Sequence, residues 1–113
     1  MSCIFCKIIN KEIPAKIVYE DEKVLVFYDI NPQAPYHILV IPKKHISTLL
    51  DLQEEDKELI GYIYLIIKKI AQELGFAERG YRVVVNCKEE AGQTVFHVHF
   101  HVLAGRPMDW PPG

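Results

Sequence analysis

Apolar residues recur along this chain in two rhythms, one of two residues and one of three to four. Ile4, Phe5, Ile8 and Ile9 keep a helical spacing, so Cys3 to Asn10 reads as a short helix or turn, and Pro14 ends it. Ile17 to Tyr19 and Lys23 to Tyr28, rich in Val, Tyr and Phe, read as strands joined by the acidic turn Glu20-Asp21-Glu22. Two prolines in four residues make the stretch from Asp29 to Pro35 a loop, since a proline cannot donate to a ladder. His37 to Ile41 is a buried-looking strand closed by Pro42. A long helix is predicted from Gln53 to Leu74, with Leu59, Ile63, Ile66, Ile70 and Leu74 along one face and Gly75 as its cap. Beside that row lies a second, Ile60, Tyr64, Ile67 and Ala71, and so wide an apolar face is either core alone or core plus a subunit contact, the latter favoured. Tyr81 to Asn86 and His97 to Leu103 are the remaining strands, and the three prolines from Arg106 to Gly113 make an extended tail. Strands with one long helix between them predict an α+β domain on an antiparallel sheet of about five strands, spanning residues 1–113.

Composition narrows what such a domain does. The chain has 113 residues, enough for one core, and half of them are hydrophobic, which excludes a disordered chain. A formal charge of -2 argues against a broad nucleic-acid face but leaves a small nucleotide site open. Apolar runs such as Ile38 to Ile41 are too short to cross a bilayer, and no basic segment with a long apolar stretch follows Met1, so the expected compartment is the cytoplasm. A disulfide framework is not expected there, although Cys3 and Cys6 form a CxxC and Cys87 stands alone.

The five histidines fall in two places, His37 and His45, then His97, His99 and His101. In a strand, the last three would share one face while Val98, Phe100 and Val102 share the other. Three neighbouring imidazoles cannot all be charged, so the row is a hydrogen-bonded relay, a metal site or an exposed accident. Just upstream, Gly92-Gln93-Thr94 offers a close backbone approach, an amide and a hydroxyl, a loop suited to phosphate oxygens.

His97-Val98-His99-Phe100-His101-Val102-Leu103 resembles the histidine triad (HIT) pattern, in which histidines alternate with apolar residues. Similarity to the Hint branch extends over almost the whole chain. It includes Phe5 with Lys7-Ile8-Ile9, Lys11 to Lys16, Asp29 to Pro35, His37, Ile41 to Ser47, Tyr81-Arg82, Val84 to Asn86, Gly92-Gln93 and the ending Trp110-Pro111-Pro112-Gly113. The resemblance implies a HIT-like fold, a homodimer, and hydrolysis of the phosphorus–nitrogen bond of purine nucleoside 5′-phosphoramidates such as AMP-amine or AMP-lysine. By it, His99 is the nucleophile that forms a nucleotidyl-histidine, His101 bonds the phosphate oxygens, and His97 and His37 complete the imidazole network. Asn86, Gly92, Gln93 and Thr94 line the phosphate side, with backbone N–H groups near Gly92 meeting the charge. Asp29 accepts from the ribose, and Ile4, Phe5, Ile8, Ile13, Phe27 and Ile30 form the base pocket. The tail with Trp110 reaches toward the partner subunit. Relatives with such a CxxC hold structural zinc, which implies Cys3, Cys6, His45 and His97 as ligands. No Mg²⁺ is required by this scheme. Two other functions compete, cleavage of dinucleoside polyphosphates and non-catalytic nucleotide sensing as a scaffold.

Overall fold

Stretches rich in Val, Ile and Phe become five antiparallel strands, β1 Ile17–Glu20, β2 Val24–Tyr28, β3 Tyr36–Pro42, β4 Arg82–Val84 and β5 Phe100–Ala104. The computed structural model describes residues 3–113. The sheet order is β1-β2-β3-β5-β4, so the last strand is inserted next to the middle one. Two helices cover it, α1 Ile4–Ile9 on one face and α2 Lys57–Leu74 on the other. Alternation along β2 and β3 explains both layers. Val24, Val26, Ile38 and Val40 join Ile63, Ile66, Ile67 and Ile70 of α2, whereas Leu25, Phe27, Leu39 and Ile41 join Phe5 and Ile8 of α1. Both central strands are therefore buried on both faces.

Three boundaries differ from the sequence pattern. The long helix starts at Lys57, not Gln53, because two short 3-10 turns, Leu49–Asp51 and Glu54–Asp56, precede it. Their acidic side chains turn back on the chain: Asp51 accepts from the Thr48 amide at 3.0 Å and Asp56 from the Gln53 amide at 2.8 Å. The strand expected over Tyr81 to Asn86 is regular only at Arg82–Val84. The strand expected over His97 to Leu103 begins at Phe100, because the Val98 amide donates to Ile46 O at 2.7 Å instead of to a ladder partner. Helix α2 ends as expected, at Gly75 with φ +89°. Among the described residues, no helix is long and apolar enough to cross a membrane.

Asp21 ties the β1–β2 turn to α2. It accepts from the hydroxyls of Tyr62 and Tyr19 and from the amides of Lys23 and Val24. Burial alone would raise its pKa, but these donors outweigh it and hold the carboxyl at about 2. A depressed carboxylate pKa stabilises the fold above about pH 3.9, and the contribution fades as pH falls through about 2. Asp21→Asn is expected to cost about 1–2 kcal/mol at pH 7. In urea titrations the difference between the two proteins should narrow below about pH 3.

Candidate functional site

β3 and β5 lie side by side, with His37 opposite Leu103 and Leu39 opposite His101. Alternation sends His37 and His101 to the α1 face, where their rings are 5.2 Å apart. His97 and His99 reach the same face from the irregular segment before β5. Their rings stand edge-on to Phe5 of α1, at 5.9 and 5.1 Å. The expected common face for the three histidines therefore holds, although only His101 lies within the regular strand.

Backbone groups fix the proton position on His37, His97 and His99, and the five histidines fall into two groups. His97 Nε2 donates to Pro42 O at 2.7 Å, which leaves Nδ1 as a bare lone pair. That lone pair faces Cys3 Sγ at 3.4 Å, Cys6 Sγ at 3.6 Å and His45 Nδ1 at 3.1 Å. Cys6 Sγ and His45 Nδ1 are 3.3 Å apart, and Ser47 Oγ meets the far nitrogen of His45 at 3.2 Å. A tetrahedral ion with zinc bond lengths has ligand-to-ligand edges of about 3.3–3.8 Å. Two sulfurs and two imidazole nitrogens, four of their six separations close to those edges and all within 4.8 Å, fit such an ion. Burial, reinforced by Cys3, raises the Cys6 thiol pKa, and burial lowers His97 against the pull of the Pro42 carbonyl.

The second group, His37, His99 and His101, has defined donor and acceptor nitrogens. The Gln33 amide donates to His37 Nδ1 at 3.0 Å, so the His37 proton sits on Nε2. That nitrogen lies 2.9 Å from His101 Nδ1 and 3.4 Å from Asp29 Oδ2. His101 therefore accepts at Nδ1 and keeps its own proton on Nε2. His99 is set the opposite way: Nδ1 donates to His97 O at 2.8 Å, leaving a lone pair on Nε2. Burial lowers His37 below the usual imidazole range, against Asp29. Burial, with His99 and His37 beside it, brings His101 down to about 4. Both rings are neutral at pH 7. Asp29, His37 and His101 are also close enough to chelate an ion. Binding one would strip the Nε2 proton that the Gln33 amide enforces, so this trio suits protons, whereas the cysteine cluster suits a metal.

In front of His99 and His101 opens a pocket of about 320 Å³. Ile4, Phe5, Ile8, Phe27, Asp29, Ile30 and Thr94, which the family resemblance implies for a nucleotide site, line it. Leu39, Tyr28, Pro14, Ala15 and Val95 also line it and were missed. Leu39 had a signal, since it lies two residues from His37 on the same strand face. Ile30 is fully exposed at the rim. Ile13 packs in the apolar cluster behind Phe5, and Asn86 lies half-buried beyond β4; neither lines the pocket. A second pocket of about 310 Å³ adjoins the first, shares Ile4, Thr94 and Val95 with it, and extends past Cys3 and His45 to Phe96.

Gly92 and Gln93 are placed differently from expectation. The Gly92 amide donates to Glu89 O at 2.9 Å and the Gln93 amide to Lys88 O at 3.0 Å, so both close their own turn instead of facing a ligand. Gln93 is buried, with its side chain bonded to Lys88 N, Ser47 O and Val95 O. These residues shape the loop, and the exposed Thr94 is the one that reaches the pocket.

The chain matches the model of the HIT domain over residues 10–108. It is 53% identical over 112 residues to a 14 kDa zinc-binding protein of Zea mays, a match covering 97% of this chain and 87% of that protein. A HIT family hydrolase from Legionella pneumophila superposes with a TM-score of 0.97 at 53% identity, covering 99% of this chain and 100% of that one. A histidine triad nucleotide-binding protein from Candida albicans superposes with a TM-score of 0.84 at 37% identity, covering 97% and 83%.

Proposed function

The chain belongs to the HIT domain family, and from that premise we propose that it is a Hint-like nucleotide-binding hydrolase acting on purine nucleoside 5′-phosphoramidates. The observation that carries this is the opposed proton placement on His99 and His101, a lone pair beside a proton donor on one pocket wall. The printed names of the Legionella and Candida relatives support hydrolysis and nucleotide binding.

The base lies between Phe5, Ile8, Phe27 and Leu39, with Asp29 accepting from the ribose. His99 Nε2 attacks the α-phosphorus, forming a phosphorus–nitrogen bond to imidazole as the bond to the amine breaks. An amine leaves only if protonated, and the neutral His101 holds a donor at Nε2 beside His99. Its Nδ1 is re-supplied along the hydrogen bond from His37. Thr94 orients the phosphoryl group from the rim. Water then attacks phosphorus and returns a proton to the His37–His101 pair, the imidazole leaves, and nucleoside monophosphate is released.

Cys3, Cys6, His45 and His97 would hold zinc, supported by their spacing and by the name of the maize relative. When bound, the ion supplies a structural cross-link between α1 and the histidine segment. A second copy of the chain would cover the exposed Tyr64 and Leu65 of α2 and the open edge of β4, with the tail carrying Trp110 near the partner's pocket. In the single chain Trp110 lies 6.0 Å from the Arg82 guanidinium, away from its own pocket.

The test is an adenosine 5′-phosphoramidate bearing a reporter amine. Amine release with a nucleotidyl adduct in quenched intact-mass spectra is expected. Tight AMP binding without release would overturn the assignment in favour of a sensor.

A further inference from the structure

The turn after β5 grips the loop before β3 at two points. Gly105, at φ +96°, lies so close to Pro35 that a Cβ added there would sit 2.8 Å from the proline Cβ. Next to it, Arg106 donates through Nε at 3.1 Å and Nη2 at 3.0 Å to the carbonyl of Gln33, and through Nη1 to Pro107 O at 3.0 Å. The same Gln33 presents its amide to His37 Nδ1 at 3.0 Å. One residue thus has its carbonyl held by the tail and its amide aimed at an active-site imidazole.

We infer that Arg106 is a positioning residue: by holding the Gln33 carbonyl it keeps the Gln33 amide on His37 and so decides which nitrogens of His37 and His101 carry protons. The consequence follows from the hydrogen-bond inventory of a neutral imidazole, one donor and one acceptor. With the amide in place, His37 must donate from Nε2, His101 must accept at Nδ1, and the free donor of His101 faces the pocket. If the amide drifts away, His37 Nδ1 can take the proton. His37 Nε2 then accepts, His101 donates from Nδ1, and the pocket-facing Nε2 of His101 becomes a bare lone pair. The proton needed by a leaving amine is lost with no change in any imidazole position. Other groups face the pair as well. Asp29, 3.4 Å from His37 Nε2, favours a proton there, while His99 beside His101 disfavours a positive charge. They set the charge of the pair; the Gln33 amide sets its direction.

The spectroscopic consequence needs no substrate, whereas the kinetic one rests on the phosphoramidase proposal. Arg106 is exposed, so its replacement leaves the core untouched. Imidazole ¹⁵N shifts of the full chain should show His37 and His101 protonated at Nε2 in the native protein. Arg106→Met should show a mixture with Nδ1–H, and Arg106→Lys, which keeps one donor, should lie between. In turnover, Arg106→Met should lose about tenfold in kcat with KM within about twofold, and the acid limb of the kcat profile should move to higher pH as His37 Nδ1 becomes open to protons. Native tautomers in Arg106→Met would overturn the inference whatever the activity. Altered tautomers in a chain that releases no amine would uphold it and refute the phosphoramidase assignment alone.

Discussion

His99→Ala is expected to bind AMP with nearly native affinity and to release amine at least about 10³-fold more slowly than the native chain. The two halves of that outcome come from different parts of the site. On the proposed mechanism, affinity resides in the apolar walls and in Asp29, which the substitution leaves alone. Turnover, on the same mechanism, depends on one lone pair, Nε2 of His99, and neither His101 nor His97 is set to replace it. His101 has its Nδ1 engaged by His37 and a proton on Nε2, and the Nδ1 lone pair of His97 points into the cysteine cluster. The nucleotidyl adduct should vanish from quenched spectra together with the activity. Truncation removes a ring that packs edge-on against Phe5 at 5.1 Å, so a thermal melt belongs beside the assay. Turnover within tenfold of native by a folded His99→Ala protein would move the nucleophile elsewhere.

Removal of the proposed zinc is expected to have the largest effect on stability. Helix α1 has six residues, far too few to hold a helical state unaided. Phe5 and Ile8 pack it onto the sheet, and a Cys₂His₂ ion would bolt Cys3 and Cys6 to His45 and His97. Purified protein should contain about one zinc per chain, and exhaustive chelation or Cys6→Ser should lower Tm by more than about 10 °C. AMP binding should weaken in parallel, because Phe5 and Ile8 are pocket walls as well as anchors. Acid should release the ion, since its ligands must be deprotonated and Cys6 has a raised pKa. Protein that carries no metal and melts unchanged in chelator would refute the metal centre.

Much of the site could be read from side chains because side chains build it. The histidine alternation and the CxxC show directly as letters in order, whereas the apolar walls read as plain core until the family resemblance assigns them to a pocket. What could not be read is carried by the backbone. The proton positions on His37, His97 and His99 follow from the Gln33 amide, the Pro42 carbonyl and the His97 carbonyl, and a peptide group looks the same at every position. The shortened strand before Phe100 has the same origin: Val98 has an alternating partner pattern, but its amide finds Ile46 across the fold. The late start of α2 was closer to legible, because Thr48-x-x-Asp51 and Gln53-x-x-Asp56 place an acidic side chain where it can reach back to an amide. Gln93 misled because an amide beside a glycine resembles a ligand contact, whereas burial gives its polar atoms other partners.

The strand order has a consequence during synthesis. β5 is the last of the five strands to leave the ribosome, yet it occupies the place between β3 and β4. Until it emerges, β3 has an unfilled edge, β4 has no neighbour in the sheet, and the histidine row has not been made. The nascent domain therefore cannot acquire partial activity, and its exposed edges invite contact with other chains on the same message. Stalled or prematurely terminated products should be targets for chaperones and proteases, not weakened enzymes.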